Sequence, residues 1–215
     1  MLTELFTNPF AFLIWIIALL VAITVHEFAH AWSAERLGDP TARLAGRISL
    51  NPLDHLDPLG TLMLIVARIG WGKPVPVDPF NFRHPRRDMA ITSFAGPAAD
   101  LILAAVLSII IRIAYLFLGP TASIMEIFFQ PIIVLAVILA IFNLLPIHPL
   151  DGSAVIVGLL PQNLAEDYDR FSHQYGLFIL IFLIFPFFGS PLISRIVFPI
   201  VNFILSLLLP GTLLI

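Results

Sequence analysis

Residues 5–30 read LFTNPFAFLIWIIALLVAITVHEFAH, and two features of this stretch decide the fold. Residues 5–25 carry no charged side chain, and about 20 apolar residues are enough for a helix to cross the hydrocarbon core of a bilayer. The stretch then closes on His26-Glu27-Phe28-Ala29-His30. Three ionisable groups in a membrane span are costly and mark function. The opening MLTELFTNP has an acidic residue and no Lys or Arg, so it lacks the basic n-region of a signal peptide and reads as a retained span.

The rest of the chain extends that pattern. Of 215 residues, 59% are hydrophobic and 12% charged, with a mean hydropathy of +0.99. Soluble domains carry about 45–50% apolar and about 25% charged residues. A disordered chain, a basic-patch nucleic-acid binder and an ordinary soluble domain are therefore excluded. The absence of cysteine removes disulfides, thiol catalysis and Cys-ligated metal sites. Residues 127–150 and 196–215 contain no Asp, Glu, Lys or Arg, 171–194 likewise, and 89–111 are broken only by Asp100. The expected fold class is an all-α polytopic membrane protein of about five transmembrane helices in a single domain, residues 1–215.

Arg36, Arg43, Arg47, Arg68, Lys73, Arg83, Arg86 and Arg87 all fall between residues 36 and 87, which places that segment in the cytosol by the positive-inside rule. Its Pro- and Gly-rich runs predict turns and short strands, with the uncharged residues 58–67 too short to span and read as a re-entrant or interfacial piece. Alternation of sides then gives helices over about 8–36, 88–117 and 123–144, a break with a short helix to about 160, and helices over about 171–188 and 191–209. The acidic Glu166, Asp167 and Asp169 fall in the cytosol.

His26 and His30, four residues apart, share one helical face, so both imidazoles can hold one metal ion. Glu27 lies near that face, placed to take a proton from a water at the metal, the general-base role of a His-Glu-x-x-His pattern. A catalytic zinc wants a third protein ligand, and without Cys it must be His, Asp or Glu. Depth narrows the search. From Pro9 to His26 a helix rises roughly 26 Å, and from Ile124 to Asn143 roughly 28 Å, at 1.5 Å per residue. Both end in the cytosolic third of the bilayer, where the sequence reads Asn143-Leu-Leu-Pro146-Ile-His148-Pro149-Leu150-Asp151-Gly152. Its prolines break the helix, and Gly152 is expected to permit a sharp turn. Broken backbone at membrane depth is tolerated only against protein or a wet cavity. Asp151 is the third ligand on this reading, with His148 its rival or a neighbour of the ligands. Glu35, Asp54, Asp57, His55, His84 and His173 read as solvated loop residues. Asp100, mid-membrane, either faces the cavity or bonds to a neighbouring helix.

Together HEFAH, GRISLNPLDHLDPLG, Ser93-Phe94-Ala95-Gly96-Pro97 and FNLLPIHPLDG resemble the site-2 protease family of intramembrane zinc metalloproteases, in its compact prokaryotic branch without PDZ or cystathionine-β-synthase domains. The resemblance runs from about residue 10 to 160, and the last two helices match by hydropathy alone. It implies one zinc per chain held by His26, His30 and Asp151, Glu27 as the catalytic glutamate, and Asn143 as the amide that steadies the oxyanion. It also implies a three-helix catalytic core within about residues 8–160. The substrate would be a transmembrane protein. The basic segment places the site toward the cytosolic side of the cell membrane, and Pro186, Gly189, Pro191 and Pro199 give residues 171–209 the hinge-like composition of a gate. Nucleic acid is not expected as a partner. A proton- or metal-coupled transporter using the same buried His/Glu/Asp cluster is the alternative, disfavoured by the lack of internal repeats. The family usually has Asn where this chain has Asp100, and often Pro-Pro where it has His148-Pro149.

Overall fold

Asn8 opens the first helix. Its Oδ1 accepts from the Ala11 amide at 3.1 Å and Pro9 follows at the first helical position, where a missing N–H costs nothing, so α1 runs Pro9–Leu37. The structure, a computed structural model, describes residues 7–60, 72–186 and 189–209. The helices that follow with both ends among the described residues are α2 (Thr41–Leu44), α3 (Pro85–Leu118), α4 (Ser123–Asn143), α5 (Asp151–Leu159), α6 (Gln162–Ile184) and α7 (Leu192–Leu208). Among the described residues the fold is all-α.

Two helical runs, Pro9–Leu37 and Pro85–Asn143, are long and apolar enough to cross a membrane. The second is α3 and α4 joined by the 3-10 turn Gly119–Ala122. The polarity of the packing is that of a lipid environment. Inward faces carry small residues: Ala18, Ala22, Ala31 and Ala34 on α1, and Ser93, Gly96, Ala104 and Ser108 on α3. Many large apolar side chains point outward, with Leu116 and Phe117 82% and 83% exposed. Helices in lipid gain nothing by hiding Leu from more hydrocarbon, so they associate through small residues that let backbones approach. The chain is membrane-associated.

Helices α1, α3 and α4 pack on one another, and α5 lies against α3. The apolar core is built on α4, where Ile133, Val134, Ala136 and Val137 meet Ile111 of α3 and Val197, Val201 and Leu205 of α7.

Between α2 and α3 the predicted short strands reduce, among the described residues, to one antiparallel bridge, Leu56 with Gly72, beside 3-10 turns at Pro52–Asp54 and Pro79–Asn81. Closely spaced prolines remove the amides a ladder needs. Of the expected re-entrant piece, residues 58–67, the first three are helical and 61–67 lie outside the described residues. This segment is nonetheless tied down. The buried Asp39 carboxylate accepts from the backbone amides of Thr41 and Asp78 and from the side chains of Thr41 and Asn81. Burial alone would push that carboxyl up, but these bonds outweigh it and hold the group below its ordinary value. His55 is not a solvated loop residue as its setting in the sequence implied: it is fully buried and its Nε2–H donates to the Ser49 carbonyl at 2.7 Å.

Helix α6 begins at Gln162, well before the expected start near residue 171, so Glu166, Asp167 and Asp169 are helical. Counting charge-free residues finds only the part of a helix suited to lipid, and α6 continues past it into a polar first half. That half holds the break between α4 and α5. Tyr168 Oη donates to the Pro146 carbonyl at 2.9 Å, and the His148 amide donates to Ser172 Oγ at 3.0 Å. Ser172 Oγ also bonds Ser153 Oγ of α5 at 3.0 Å. Gly152 sits inside the first turn of α5 rather than in a left-handed turn. Its requirement is space, because a Cβ there would stand 2.5 Å from the Leu144 carbonyl carbon.

Candidate metal centre

Four-residue spacing on α1 sets His26 and His30 one above the other, both buried, with their rings edge to face at 4.6 Å between centroids. Their Nε2 atoms stand 3.0 Å apart. Asp151, the first residue of α5, brings Oδ2 to 3.2 Å from His26 Nε2 and 3.3 Å from His30 Nε2. These ligand atoms all lie within 4.8 Å of one another, the only His/Cys/Asp/Glu trio of its kind among the described residues.

The partners of the other ring nitrogens orient this trio. His30 Nδ1 is 2.7 Å from the Thr92 carbonyl, which can only accept, so Nδ1 carries a proton and the neutral ring keeps its lone pair on Nε2. His26 Nδ1 is 2.7 Å from Oδ2 of Asp100, a carboxylate with no solvent exposure. It too donates through Nδ1 and turns its Nε2 lone pair inward. Asp151 Oδ2 is buried with no hydrogen-bond donor. With both imidazoles neutral, three acceptors converge on one point, an arrangement that repels itself at low dielectric until a cation, whether a proton or a metal ion, sits among them. Ligand atoms about 2.0–2.1 Å from a tetrahedral centre lie about 3.3 Å from one another, and the observed separations fall at or just under that edge length. The residues fit a divalent metal with two imidazoles and one carboxylate.

Helix α3 supplies both supports and the room for them. Its Pro97 has no amide to offer the Ser93 carbonyl, and the turn so loosened is the one whose Thr92 carbonyl receives His30. Gly96 faces the two rings: a Cβ there would stand 2.6 Å from His30 Cε1 and 2.8 Å from His26 Cε1. Gly96→Val is expected to push the imidazoles apart and to lower metal content in purified, helical protein to a small fraction of wild type, measured by elemental analysis alongside circular dichroism. Asp100→Leu removes the acceptor that fixes the His26 tautomer. Such supports are worth about 10–100-fold in metal affinity, so competition with a chelator should show a loss of that size, and a smaller one for Asp100→Asn, which keeps an acceptor oxygen.

Glu27 follows His26 by one residue, about 100° further round α1. It is half-buried, its Oε1 3.6 Å from where a Cβ of Gly72 would stand, so the bridge of Leu56 with Gly72 passes beside this carboxylate. Asn143, the last residue of α4, is half-buried and donates from Nδ2 to the Leu139 carbonyl at 3.0 Å. His148 stands outside the trio. Its ring lies 3.9 Å from that of His173, whose Nε2 is 3.5 Å from Asp169 Oδ1. Sequence reasoning left Asp100 undecided and missed Gly96 and the Thr92 carbonyl. The Gly96-to-Asp100 spacing of four was the available signal for two of these, whereas a backbone carbonyl has none.

Residues 108–184, which include the break and Asp151, match the model of peptidase family M50. The chain is 37% identical over 191 residues to "Putative zinc metalloprotease YwhC" of Bacillus subtilis, across 87% of this chain and 85% of that protein. The chain belongs to this family of zinc metalloproteases. "Putative zinc metalloprotease Rip2" of Mycolicibacterium smegmatis is 32% identical over 197 residues, 88% of this chain and 72% of that protein. The protein of the same name from Mycobacterium tuberculosis is 31% identical over 179 residues, 80% and 66% of the two chains. No solved structure matches. As an M50 protein, the chain has a family chemistry that agrees with its own geometry: a buried His/His/Asp set suited to zinc.

Proposed function

We propose that this chain is an intramembrane zinc endopeptidase that hydrolyses a peptide bond within or near a transmembrane segment of another membrane protein. The observation that carries the reading is the convergence of His26 Nε2, His30 Nε2 and Asp151 Oδ2 on one point, with both imidazoles turned toward it by Asp100 and Thr92. These three residues would hold one zinc per chain, and zinc when bound supplies Lewis acidity toward a peptide carbonyl and acidifies a neighbouring water. Glu27 takes the proton of the attacking water as the new C–O bond forms, then delivers it to the amine as the C–N bond breaks. The Asn143 amide donates to the oxygen that gains charge; to do so it turns from the Leu139 carbonyl or uses its second N–H. Helical peptide bonds are shielded by their own hydrogen bonds, so substrates with Gly or Pro near the bond, which unwind at lower cost, are favoured.

In this reading α1, α3 and α4 form the three-helix catalytic core within residues 8–160. About five crossings complete a single multi-pass domain of the cell membrane, with the site toward the cytosolic, Arg-rich end. Residues 171–209 form the side that substrate passes. Supporting this, α7 packs along α4, while side-chain hydrogen bonds tie it to α3 at its C-terminal end, where Ser108 and Arg112 donate to the Leu208 and Leu207 carbonyls. The test is cleavage of a membrane-spanning peptide by purified protein in liposomes, lost on chelation and restored by zinc. Proton-coupled uptake with no peptide hydrolysis would overturn the reading in favour of a transporter.

A further inference from the structure

A cavity of about 480 Å³ leads from the basic end of the helices to Asp151. One wall is α3, with Pro85 and Met89, and the opposite wall is α5, with Ala154 and Val157. Its rim carries Arg86 of α3, Asp169 and His173 of α6, and His148 of the break. The space, partly open to solvent, falls within the ~300–1,000 Å³ of ligand sites. Its walls and its rim differ in chemistry. Apolar side chains with Ser93 and Ser153 among them line the part between α3 and α5, while both signs of charge stand at the mouth.

We propose that this cavity is the subsite for the stretch of substrate between the cleaved bond and the basic, cytosolic end of the membrane, held in extended form. The proposal rests on the protease reading above and adds where the substrate chain lies. Three observations favour a peptide as occupant. Asp151 is at once part of the metal set and part of the cavity wall, so whatever fills the cavity continues into the reacting centre. The order apolar wall then charged rim matches a transmembrane segment near the interface, where apolar residues give way to polar and charged ones. Pro79, Pro85 and Pro149 in the lining offer no backbone amide, which favours docking through side chains over strand pairing. Met89, Ala154 and Val157 then select medium-sized apolar residues next to the bond.

The chain has no cysteine, so single cysteines report position without background. Met89→Cys and Val157→Cys, each combined with Glu27→Gln to leave the substrate intact, are reconstituted with a membrane-spanning peptide carrying one cysteine moved residue by residue along it. Both wall variants should form disulfides with cysteines on the cytosolic side of the bond that the wild type cuts, at least about tenfold above the exposed Leu116→Cys control. Disulfides on the opposite side, or equally on both, overturn the proposal, as does their absence from both wall variants. Ala154→Trp, from the α5 wall, supplies an independent measure. It should keep its metal and lose about tenfold or more in kcat/KM on that peptide, and lose far less when the cytosolic flank is replaced by glycines. Equal losses on both peptides mean a water path and overturn the proposal. Disulfides on the cytosolic half without any cleavage by wild type would support the occupant while overturning the protease reading.

Discussion

Asp151→Ala should leave the purified protein without its metal while His148→Ala keeps it. Among the described residues, Asp151 Oδ2 is the carboxylate oxygen that faces both Nε2 atoms, at 3.2 and 3.3 Å, and it is buried with no donor to satisfy it. Losing a mere support of a ligand costs about 10–100-fold in affinity, so removing one of three direct ligands should weaken binding by more than about 100-fold. Elemental analysis of detergent-purified wild type, His26→Ala, Asp151→Ala and His148→Ala measures this directly. His148 stacks on His173 at the cavity rim, away from the trio. Metal lost from His148→Ala and retained by Asp151→Ala would mean that the ligand set is wrong.

Glu27→Gln is the second large effect, and it separates chemistry from metal binding. The amide has nearly the same shape as the carboxylate but cannot take a proton, and general base catalysis is worth about 10²–10⁴ in rate. The variant should therefore bind metal as wild type does and cleave a membrane-spanning substrate about 10²–10⁴ times more slowly. Wild-type turnover with full metal would remove the base role from this residue. Because Glu27 is half-buried beside Gly72 rather than inside the core, the substitution leaves the packing of α1 on α3 intact. Near-equal metal content in the two proteins is the control for that.

Paired, these variants dissect a site whose parts come from different levels of the structure. His26 and His30 meet because both are on α1, and helical periodicity alone joins them. Asp151 reaches them only because α5 lies against α3, with the break before it tied to α6 through Tyr168 and Ser172. Gly152 shows the same division. Its identity in the sequence suggested a turn, whereas its need is the carbonyl of Leu144 pressed against it, a contact set by how α4 and α5 meet.

Much of this protein was legible as a sequence because its governing forces are local. Runs free of charge mark what lipid accepts, so the long helices α1, α3 and α4 could be bounded within a few residues of Pro9–Leu37, Pro85–Leu118 and Ser123–Asn143. The start of α6 escaped, since water tolerates helix and loop alike and hydropathy does not distinguish them. The fate of Asp100 escaped for a different reason. A mid-membrane carboxylate must find a partner, but only the rotation of α3 against α1 decided that the partner is His26. His30 bonds to a carbonyl of Thr92, and every residue has a carbonyl, so no letter announces it. Side-chain chemistry and helical period named the residues of the candidate metal site. Interhelical packing, which depends on the shapes of distant segments together, set their protons, their orientation and the space beside them.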